Sequence, residues 1–449
     1  MWKQYTVITA CIAGTTPTSA WLPTFFRSSP SSTTALSVQN IILSPSEDPT
    51  TFDSYKIGNA RVHRYARDAT DSDAEYVMWY HGRSIEMQQD TETRLPPLST
   101  GRIGRATSRN GLIWEKDTVG SVSEDIPGVS LGLNQDAWWS FDVAHCGLGN
   151  VLLPMSTPAV LAEGGVYLMY YHGGNFEETP LAEYMPESSA ATDVVVQGMK
   201  MRIGVAVSQD GVTWGRVEGD DPTGAMVVPF DKKDPNSWEN VAVSDMPEEL
   251  YCAWPDVAVD LRKDTEDDTS KNDEPKSQDS FLMYYSTMLK DTKEKCIAYA
   301  TSADGFRWKK QGICLRPSDP QDQAGCARCC VFQDASYDAA TSTWTPESEW
   351  KMLYEGVSPN DGKHRILWAV SQDAKTWSKK GIALDVGADG TWDCGGVGSP
   401  HIIRMDDGTE RMYYTGQGAD GSTSIGVAKL STENGKQTWI REQASFSFS

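Results

Sequence analysis

The chain has 449 residues and contains 62 Asp and Glu against 40 Lys and Arg, so its formal charge at pH 7 is −22. This excess of negative charge repels phosphate backbones and anionic lipid headgroups, which argues against nucleic-acid or membrane-surface partners. With 39% hydrophobic and 10% aromatic residues the chain can bury a large core, which excludes wholesale disorder. No apolar run reaches the roughly 18 residues of a transmembrane helix, so membrane insertion is not expected.

Residues 1–38 have the features of a targeting presequence. No Asp or Glu occurs before Glu47, and Lys3 precedes a short apolar stretch that ends in small residues at 18–20. Trp21 and a Ser/Thr-rich run follow. This order resembles the bipartite plastid presequences of algae with secondary plastids, in which an aromatic residue follows the first cleavage site. We therefore expect import into the plastid (chloroplast) and removal of this transit-like segment, with a plain secretory signal and secretion as the alternative.

The rest of the sequence repeats one pattern five times. An apolar strand, an aromatic strand and a third strand are followed by a turn of the type Ser-x-Asp-Gly and then by Trp. Asp-Gly or Asn-Gly between extended runs indicates a hairpin with positive φ at both turn positions, and we expect the Trp to pack on the next sheet. The five turn copies are 108–114, 208–214, 302–308, 371–377 and 431–439.

Four strands in each of five repeats predict an all-β fold, namely a five-bladed β-propeller with four antiparallel strands per blade around a central polar channel. It is expected to form a single domain over 39–449, closed on the last blade either by 37–43 or by 446–449. No apolar pattern of period 3.6 between the strands favours a helical alternative. The predicted blades are about 57–114, 147–214, 254–308, 328–377 and 398–439.

Loop lengths predict which face of the propeller binds a ligand. The connections from strand 2 to strand 3, and from strand 4 to the next blade, share one face and include the long segments 81–101, 172–200, 114–147 and 214–255. Long loops on one face usually build a binding site, here over the mouth of the channel. On the opposite face, 262–280 is an acidic stretch that we expect to be a flexible loop.

The cysteines give little indication of a metal or redox centre. Cys326-Ala-Arg-Cys329-Cys330 contains a Cys-x-x-Cys core, but no second pair lies at the spacing of a zinc site. Buried strand cysteines are the favoured interpretation, ahead of redox chemistry and metal binding. We therefore predict no metal and no cofactor.

The repeated units resemble the arabinanase/levansucrase/invertase superfamily, most closely its glycoside hydrolases of families 43 and 32. The motifs that resemble it are Tyr-Met-Tyr-Tyr, Ile-Gly-Val-Ala-Val-Ser, Gln-Asp-Gly and Trp, clearest around 390–414, and the resemblance covers roughly 50–445. It implies a catalytic Asp from the first blade, a second Asp that orients or tunes, and a Glu from a later blade. In such chemistry one carboxyl group holds a proton while another stays ionised.

Only part of that scheme matches this chain. The first inner strand opens as Gly-Asn-Ala-Arg at 58–61, so the expected Asp is absent and Asp53 is the nearest acid. Asp256 opens the third inner strand, and Glu355 ends the fourth aromatic strand, so we predict that these two form the catalytic pair. Equivalent ends of the aromatic strands are occupied by His81, His172, Ser286, Glu355 and Thr415.

The predicted substrate-binding residues are those expected near the same mouth, with Trp254 as a platform for stacking a sugar. They are Trp254, His81, His172, Asn59, Arg61, His145, Arg328 and His401. Four further acids each follow an aromatic residue, and this recurrence favours a repeated structural hydrogen bond at the start of a strand. These are Asp53, Asp142, Glu239 and Asp393.

Three functions remain open at this point. The first is a glycoside hydrolase (an O-glycosyl hydrolase) acting by paired-carboxylate acid/base chemistry at the channel mouth. The second is a catalytically inactive propeller that binds a carbohydrate or another small polar ligand, and the third is a plastid scaffold for a protein partner. The missing first-blade Asp favours the second and third, whereas the long loops and the Asp256/Glu355 pair favour the first.

Overall fold

The computed structural model describes residues 40–65, 74–84, 101–118, 120, 124, 126–155, 166–185, 194–260, 281–341, 343–433 and 436–442. The predicted presequence (1–38), the acidic loop (262–280) and the alternative closing segment (446–449) lie outside these residues. Within the described ranges, no helix has both the length and the apolar composition needed to span a membrane.

Almost all regular structure is β-strand, which confirms the all-β prediction. The helical pieces described are α1 (Leu181–Tyr184) and a 3₁₀ turn at Pro235–Trp238. The strands are β1 (Ile41–Leu43), β2 (Lys56–Tyr65), β3 (Glu75–Arg83), β4 (Gly101–Ser108), β5 (Glu115–Lys116), β6 (Val129–Leu131), β7 (His145–Met155), β8 (Val166–Gly174), β9 (Thr179–Pro180), β10 (Val195–Val196), β11 (Arg202–Ser208), β12 (Gly215–Val217), β13 (Glu249–Val259), β14 (Phe281–Leu289), β15 (Lys295–Ser302), β16 (Lys309–Leu315), β17 (Gly325–Asp338), β18 (Thr343–Val357), β19 (His364–Ser371), β20 (Ser378–Leu384), β21 (Gly396–Arg404), β22 (Glu410–Gln417), β23 (Thr423–Glu433) and β24 (Lys436–Arg441).

The strands pair into successive antiparallel groups of four, in the order that the repeats predicted. Group 1 is β2–β5, group 2 is β7, β8, β11 and β12, group 3 is β13–β16, group 4 is β17–β20 and group 5 is β21–β24. One parallel bridge, His364 to Gly396, joins groups 4 and 5 into one larger sheet. β1 pairs with β23 of group 5, as one of the two closure predictions expected. The fold is therefore a propeller-like arrangement of four-stranded units.

The turn motif differs from the predicted hairpin. Only its second turn residue has positive φ, as at Gly211 (70°) and Gly305 (79°), because the preceding Asp acts as an acceptor instead. Asp210 Oδ1 accepts the backbone N–H groups of Val212 at 2.8 Å and Thr213 at 2.7 Å. The Asp210 carboxylate thus stabilises the connection between β11 and β12, residues 209–214. This connection is longer than the two-residue loop of the predicted hairpin.

The tryptophans that follow the turns pack on the preceding group, so the expectation that they pack on the next sheet was wrong. The Trp308 ring of group 3 lies 5.8 Å from that of Tyr170 in group 2, at 83°. Trp114 of group 1 makes the same edge contact with Tyr413 of group 5, at 6.1 Å. Tyr413 also donates a hydrogen bond to the carbonyl of Gly111 at 3.1 Å. The aromatic strand of one group is thereby joined to the turn of another group by a ring contact and a hydrogen bond.

A buried carboxylate, a tyrosine and a cation recur once in each group. In group 1, the Tyr80 hydroxyl donates to Asp53 Oδ2 at 2.9 Å, and Lys116 Nζ lies 2.6 Å from the same oxygen. The other sets are Asp142–Tyr171–Arg216, Glu249–Tyr285–Lys310, Asp322–Tyr354–Lys379 and Asp393–Tyr414–Arg441.

These sets tie the segment before each inner strand to the second and fourth strands. They confirm the structural role predicted for Asp53, Asp142 and Asp393. Glu239 is not a member, and Glu249 takes its place because it lies at the start of β13.

The cysteine interpretation is also confirmed for the described residues. Cys326, Cys329 and Cys330 all lie in β17, are buried and form no disulfide. Burial raises the pKa of the Cys330 thiol to about 12, as it does for Cys146. Thiols with such pKa values stay protonated at neutral pH and behave as small apolar groups.

We predict that Tyr354→Phe destabilises the protein by about 1–2 kcal/mol, because Asp322 loses a donor while staying fully buried. The matched control is Tyr299→Phe, whose hydroxyl has no hydrogen-bond partner among the described residues, and which should cost below about 0.5 kcal/mol. Urea unfolding of the two variants tests this. Equal losses in both variants would contradict a structural role for the repeated set.

Candidate functional site

Each inner strand contains a β-bulge at the same place. The pairing register between the first two strands of each group shifts there, for example between Gly58 and Arg61 in β2. In four of the groups the first bulge residue has φ between 42° and 51°, an unusual conformation for a residue other than glycine. Those residues are Asn59, Trp254, Arg328 and Ser399.

The bulges are held by side chains from the neighbouring group. The strand pairing confirms that the residues predicted at equivalent ends of the aromatic strands are equivalent. His81, His172, Ser286, Glu355 and Thr415 lie opposite Gly58, Gly147, Ala253, Ala327 and Gly398. Four of these five residues accept a hydrogen bond from the backbone N–H of a bulge residue. The bonds run from Asn59 to Thr415 Oγ1 (2.9 Å), from Trp254 to His172 Nδ1 (3.4 Å), from Arg328 to Ser286 Oγ (2.8 Å) and from Ser399 to Glu355 Oε2 (3.1 Å).

The bulges open onto a cavity of about 160 Å³ at one end of the inner strands, which we name the mouth cavity. It lies at the end from which the long loops leave, as the loop lengths predicted. Its lining residues are Lys56, Ile57, Gly58, Asn59, His81, Arg83, Trp254, Arg328, Glu355, His364, Gly396, Val397, Gly398, Ser399, Thr415, Gln417 and Thr423.

Glu355 is the one carboxylate among these lining residues, and it is held firmly. Its Oε1 accepts hydrogen bonds from Arg328 Nη1 at 2.7 Å and from His364 Nδ1 at 2.6 Å. Burial alone would raise the pKa of Glu355, but the charge of Arg328 and the hydrogen bond and charge of His364 outweigh it and lower the pKa to about 2. Glu355 is therefore ionised at neutral pH and suits a base or an anchoring acceptor, not a proton donor.

The indole of Trp254 forms one wall of the mouth cavity, but it is not an open platform. The Arg328 guanidinium lies over the ring, 4.5 Å from its centroid, and the His172 ring is 5.0 Å away. A cation over an indole is attracted to the ring face. A sugar that stacks on Trp254 must therefore share the indole with Arg328 or displace it.

Two cations of the mouth cavity, Lys56 and Arg83, were not predicted from the sequence. Burial, with the charge of Arg83, lowers the pKa of Lys56 to about 8 against the opposing charge of Asp420. Burial and the charge of Arg328 lower the pKa of Arg83 to about 10. These lowered values mean that positive charge is crowded together at the mouth.

Arg61 and Asp256 lie deeper in the channel and do not line the mouth cavity. The Arg61 side chain is 1% exposed, and its Nη2 lies 3.6 Å from Asp256 Oδ1. Asp256 Oδ2 also accepts the N–H of Val331 at 2.7 Å. Burial raises the pKa of Asp256 to about 6, although Arg61 and the Val331 bond both lower it. The predicted catalytic pair is thus divided, with Glu355 at the mouth and Asp256 below it.

Arg61 also donates to inner-strand carbonyls from three other groups. Nε bonds to Gly149 O at 2.7 Å, and Nη1 bonds to Pro400 O at 3.0 Å. Nη2 reaches Cys329 O at 3.4 Å. One side chain from β2 thereby contacts the inner strands of all the other groups.

Three predicted histidines do not line the mouth cavity; His145 and His172 are buried, and His401 is partly buried. His145 Nε2 is 2.8 Å from Gly198 O, His401 Nε2 is 2.9 Å from Val62 O, and His172 accepts from Trp254 as described above. Burial lowers the pKa of all three, to about 4 for His145, so they are neutral at physiological pH. Among the described residues no group of three His, Cys, Asp or Glu side chains could hold a metal ion.

The structure thus gathers Glu355, Trp254, His81, Asn59 and Arg328 at one cavity, and leaves the other five predicted residues outside it. Two of the cavity residues that the sequence did not predict could have been predicted, because residues two apart in a strand lie on the same face of the sheet. Arg83 follows His81 by two, and Lys56 precedes Gly58 by two. His364 had no such signal, since only the folding of β19 beside β18 brings it to Glu355.

We predict that Arg61→Met destabilises the protein by about 3–5 kcal/mol, because Asp256 loses its buried partner and several carbonyls lose a donor. Asp256, whose pKa is already raised, should then stay protonated to a higher pH in the folded state. The folded state keeps a proton that the unfolded state releases above the ordinary Asp pKa of 3.8, so the free energy of unfolding should fall as the pH rises from about 4 to above 6.

The measurement is urea unfolding across that pH range, with Arg64→Met as the control. Arg64 lies on the same strand but forms a partly exposed ion pair with Asp406, so its loss should cost about 0–1 kcal/mol. Similar losses for the two variants would show that the channel contacts of Arg61 do not stabilise the fold.

Comparisons with known proteins agree with this architecture. No protein-family profile matches the chain. An uncharacterized protein of Mycobacterium tuberculosis (strain CDC 1551 / Oshkosh) is 26% identical over 338 residues, which cover 74% of this chain and 86% of the relative. A second uncharacterized protein, from strain ATCC 25618 / H37Rv of the same species, matches with the same identity and coverage.

Solved structures give the fold. A BT0996–RGII complex has a TM-score of 0.52 at 17% identity, covering 88% of this protein and 92% of that one. A glycoside hydrolase has a TM-score of 0.51 at 15% identity, covering 91% and 94%. A thermostable family-43 glycoside hydrolase has a TM-score of 0.51 at 13% identity, covering 89% and 98%. The chain therefore shares the fold of these glycoside hydrolases, as the resemblance found in the repeats predicted.

Proposed function

We propose that the protein binds a carbohydrate in the mouth cavity. The observation behind this proposal is that an indole wall, Trp254, faces convergent hydrogen-bonding groups such as Asn59, Gln417 and Thr423 in one recess. Apolar walls combined with a few placed polar groups are typical of small-molecule sites. The cavity is below the roughly 300–1,000 Å³ that drug-sized ligands occupy, so it suits a single sugar unit.

The comparisons support the same ligand class. Proteins with this fold include glycoside hydrolases, and one of the similar structures is a complex with an RGII carbohydrate. A shared fold by itself does not transfer an activity. The proposal therefore rests on the cavity, and the fold makes carbohydrate the first ligand class to test.

We also infer that groups 1 to 5 are the five blades of a closed propeller. Three contacts between the two ends of the chain support this inference. Thr415 accepts the N–H of Asn59, and Tyr413 donates to Gly111 O. In addition, β1, which precedes group 1, pairs with β23 of group 5.

Glycoside hydrolysis is the second candidate, and one observation favours it. The pKa values of Asp256 and Glu355 are pushed apart, to about 6 and about 2, as acid/base chemistry with two carboxyl groups requires. Asp256 would hold the proton and Glu355 would be the ionised partner. Against this candidate, Asp256 lies outside the cavity lining, and Asn59 occupies the first-blade position where the superfamily has an Asp.

The test of binding is a variant that fills the cavity without disturbing the fold. A side chain added at Gly396 would first meet His364 at 3.4 Å and Gln417 at 3.7 Å, which are ordinary contacts at the cavity wall. We expect Gly396→Leu to lower the affinity for any bound saccharide at least about tenfold, a change of about 1.4 kcal/mol, with the Tm unchanged. Calorimetry against a broad oligosaccharide panel measures it.

The matched control is Gly215→Leu on β12, where an added Cβ has no neighbour closer than 4.0 Å. This variant should bind as the wild type does. Binding that survives Gly396→Leu would place the ligand elsewhere, and a panel without any binder would refute the proposal.

Sugar release by the same panel separates the two candidates. If the protein is a hydrolase, Asp256→Asn and Glu355→Gln should each abolish turnover in folded protein. If it only binds, no substrate is turned over by the wild type, while Gly396→Leu still removes binding. Turnover that survives both carboxylate variants would exclude these residues as the catalytic pair.

A further inference from the structure

Among the described residues, one buried cation has no carboxylate partner. The buried Lys and Arg side chains of these residues include Arg61, Arg102, Arg202 and Lys310, and each forms an ion pair. Lys56 is also buried, at 7% exposed, yet no described carboxylate lies within ion-pair distance of its ammonium group. Its recorded close contact is the Tyr55 ring, 5.3 Å from Nζ.

Arg83, beside Lys56, is partly exposed and also lacks a carboxylate partner among the described residues. The hydrogen bond recorded for its guanidinium runs from Nε to His81 Nε2, at 3.3 Å, and it forms no ion pair within the described part of the chain. Both residues belong to the lining of the mouth cavity, together with Arg328. Glu355, which is the one carboxylate of that lining, is already bonded to Arg328 and His364.

Neither cation therefore forms an ion pair among the described residues, although Asp420 acts on Lys56 from a longer distance and the net charge of the chain is −22. Burying an unpaired charge is costly, and the chain has ample Asp and Glu with which to pair them. Two unpaired cations that share one cavity with hydrogen-bonding groups and an indole form an anion site within a candidate sugar site. The missing partner is then supplied by the ligand.

We propose that the ligand of the mouth cavity is an acidic saccharide whose anionic group, a carboxylate or a sulfate or phosphate ester, binds between Lys56 and Arg83. This inference rests on the proposed carbohydrate function and specifies its ligand class. The neutral part of the sugar contacts Trp254 and the polar lining, while the anion neutralises the two cations. The negative charge of the rest of the chain then disfavours binding of the same anion elsewhere on the surface.

The experiment compares matched ligands on the purified full chain by calorimetry. A neutral oligosaccharide, its uronate counterpart, its sulfate ester and its phosphate ester are titrated at low and at high ionic strength, with inorganic sulfate as a separate probe. We expect at least one acidic sugar to bind about tenfold or more tighter than the neutral one, and this preference to shrink as salt is added. The comparison of the three acidic forms identifies the anionic group.

The variants are Lys56→Gln and Arg83→Gln, and the control is Arg307→Gln at an exposed cation in the turn of group 3. Each cavity variant should reduce the ratio of acidic to neutral affinity about tenfold and keep or raise the Tm, since a charge without an ion-pair partner is removed. The control should retain the wild-type ratio.

The failures of the two proposals are distinguishable. Equal binding of neutral and acidic sugars by the wild type would overturn this inference and leave carbohydrate binding standing. A preference that survives both cavity variants would overturn the role of Lys56 and Arg83. Binding of inorganic sulfate without binding of any saccharide would overturn the carbohydrate proposal and the acidic-saccharide assignment together.

Discussion

The architecture depends on one guanidinium group at the centre of the channel. The bulges in the inner strands turn the carbonyls of Gly149, Cys329 and Pro400 toward Arg61, which donates to all three and also faces Asp256. Without such a donor, each buried carbonyl that lost its hydrogen bond would destabilise the fold by about 1–3 kcal/mol. The strands approach so closely that a Cβ on Gly149 would meet the Pro255 ring at 2.4 Å, so only glycine fits there.

Because the Arg61 side chain occupies the space between the inner strands, the cavity that a ligand could enter lies at their ends. Asp256 neutralises Arg61 below the cavity, and Glu355 is neutralised by Arg328 and His364 at its wall. Both carboxylates of the predicted pair are thus counter-ions of nearby cations. Lys56 and Arg83, which form no ion pair among the described residues, add positive charge to the lining of the mouth cavity.

Repetition separates structural residues from candidate functional ones. The carboxylate–tyrosine–cation sets and the bonds from bulge N–H groups recur from group to group. In each group they provide hydrogen-bond partners for the same buried polar groups. Lys56, Arg83 and Trp254 have no counterpart at the equivalent positions of the other groups, and all three line the mouth cavity. Arg61 also occurs only once, but it bonds to inner-strand carbonyls, whereas the described contacts of the other three side chains include no such bond. This difference agrees with the binding role proposed for them.

The sequence by itself determined the strand order, the all-β class, the superfamily resemblance and half of the predicted site, because turn residues and aromatic alternation are local signals read at short range. It also identified three of the five repeated acids through the aromatic residue before them. Only the tertiary structure decided that Arg61 and Asp256 neutralise each other, that His364 reaches Glu355, and that Lys56 and Arg83 form no ion pair among the described residues. Those outcomes depend on which side chains meet across groups far apart in the chain, and pairing, burial and the resulting pKa values exist only once the strands have converged.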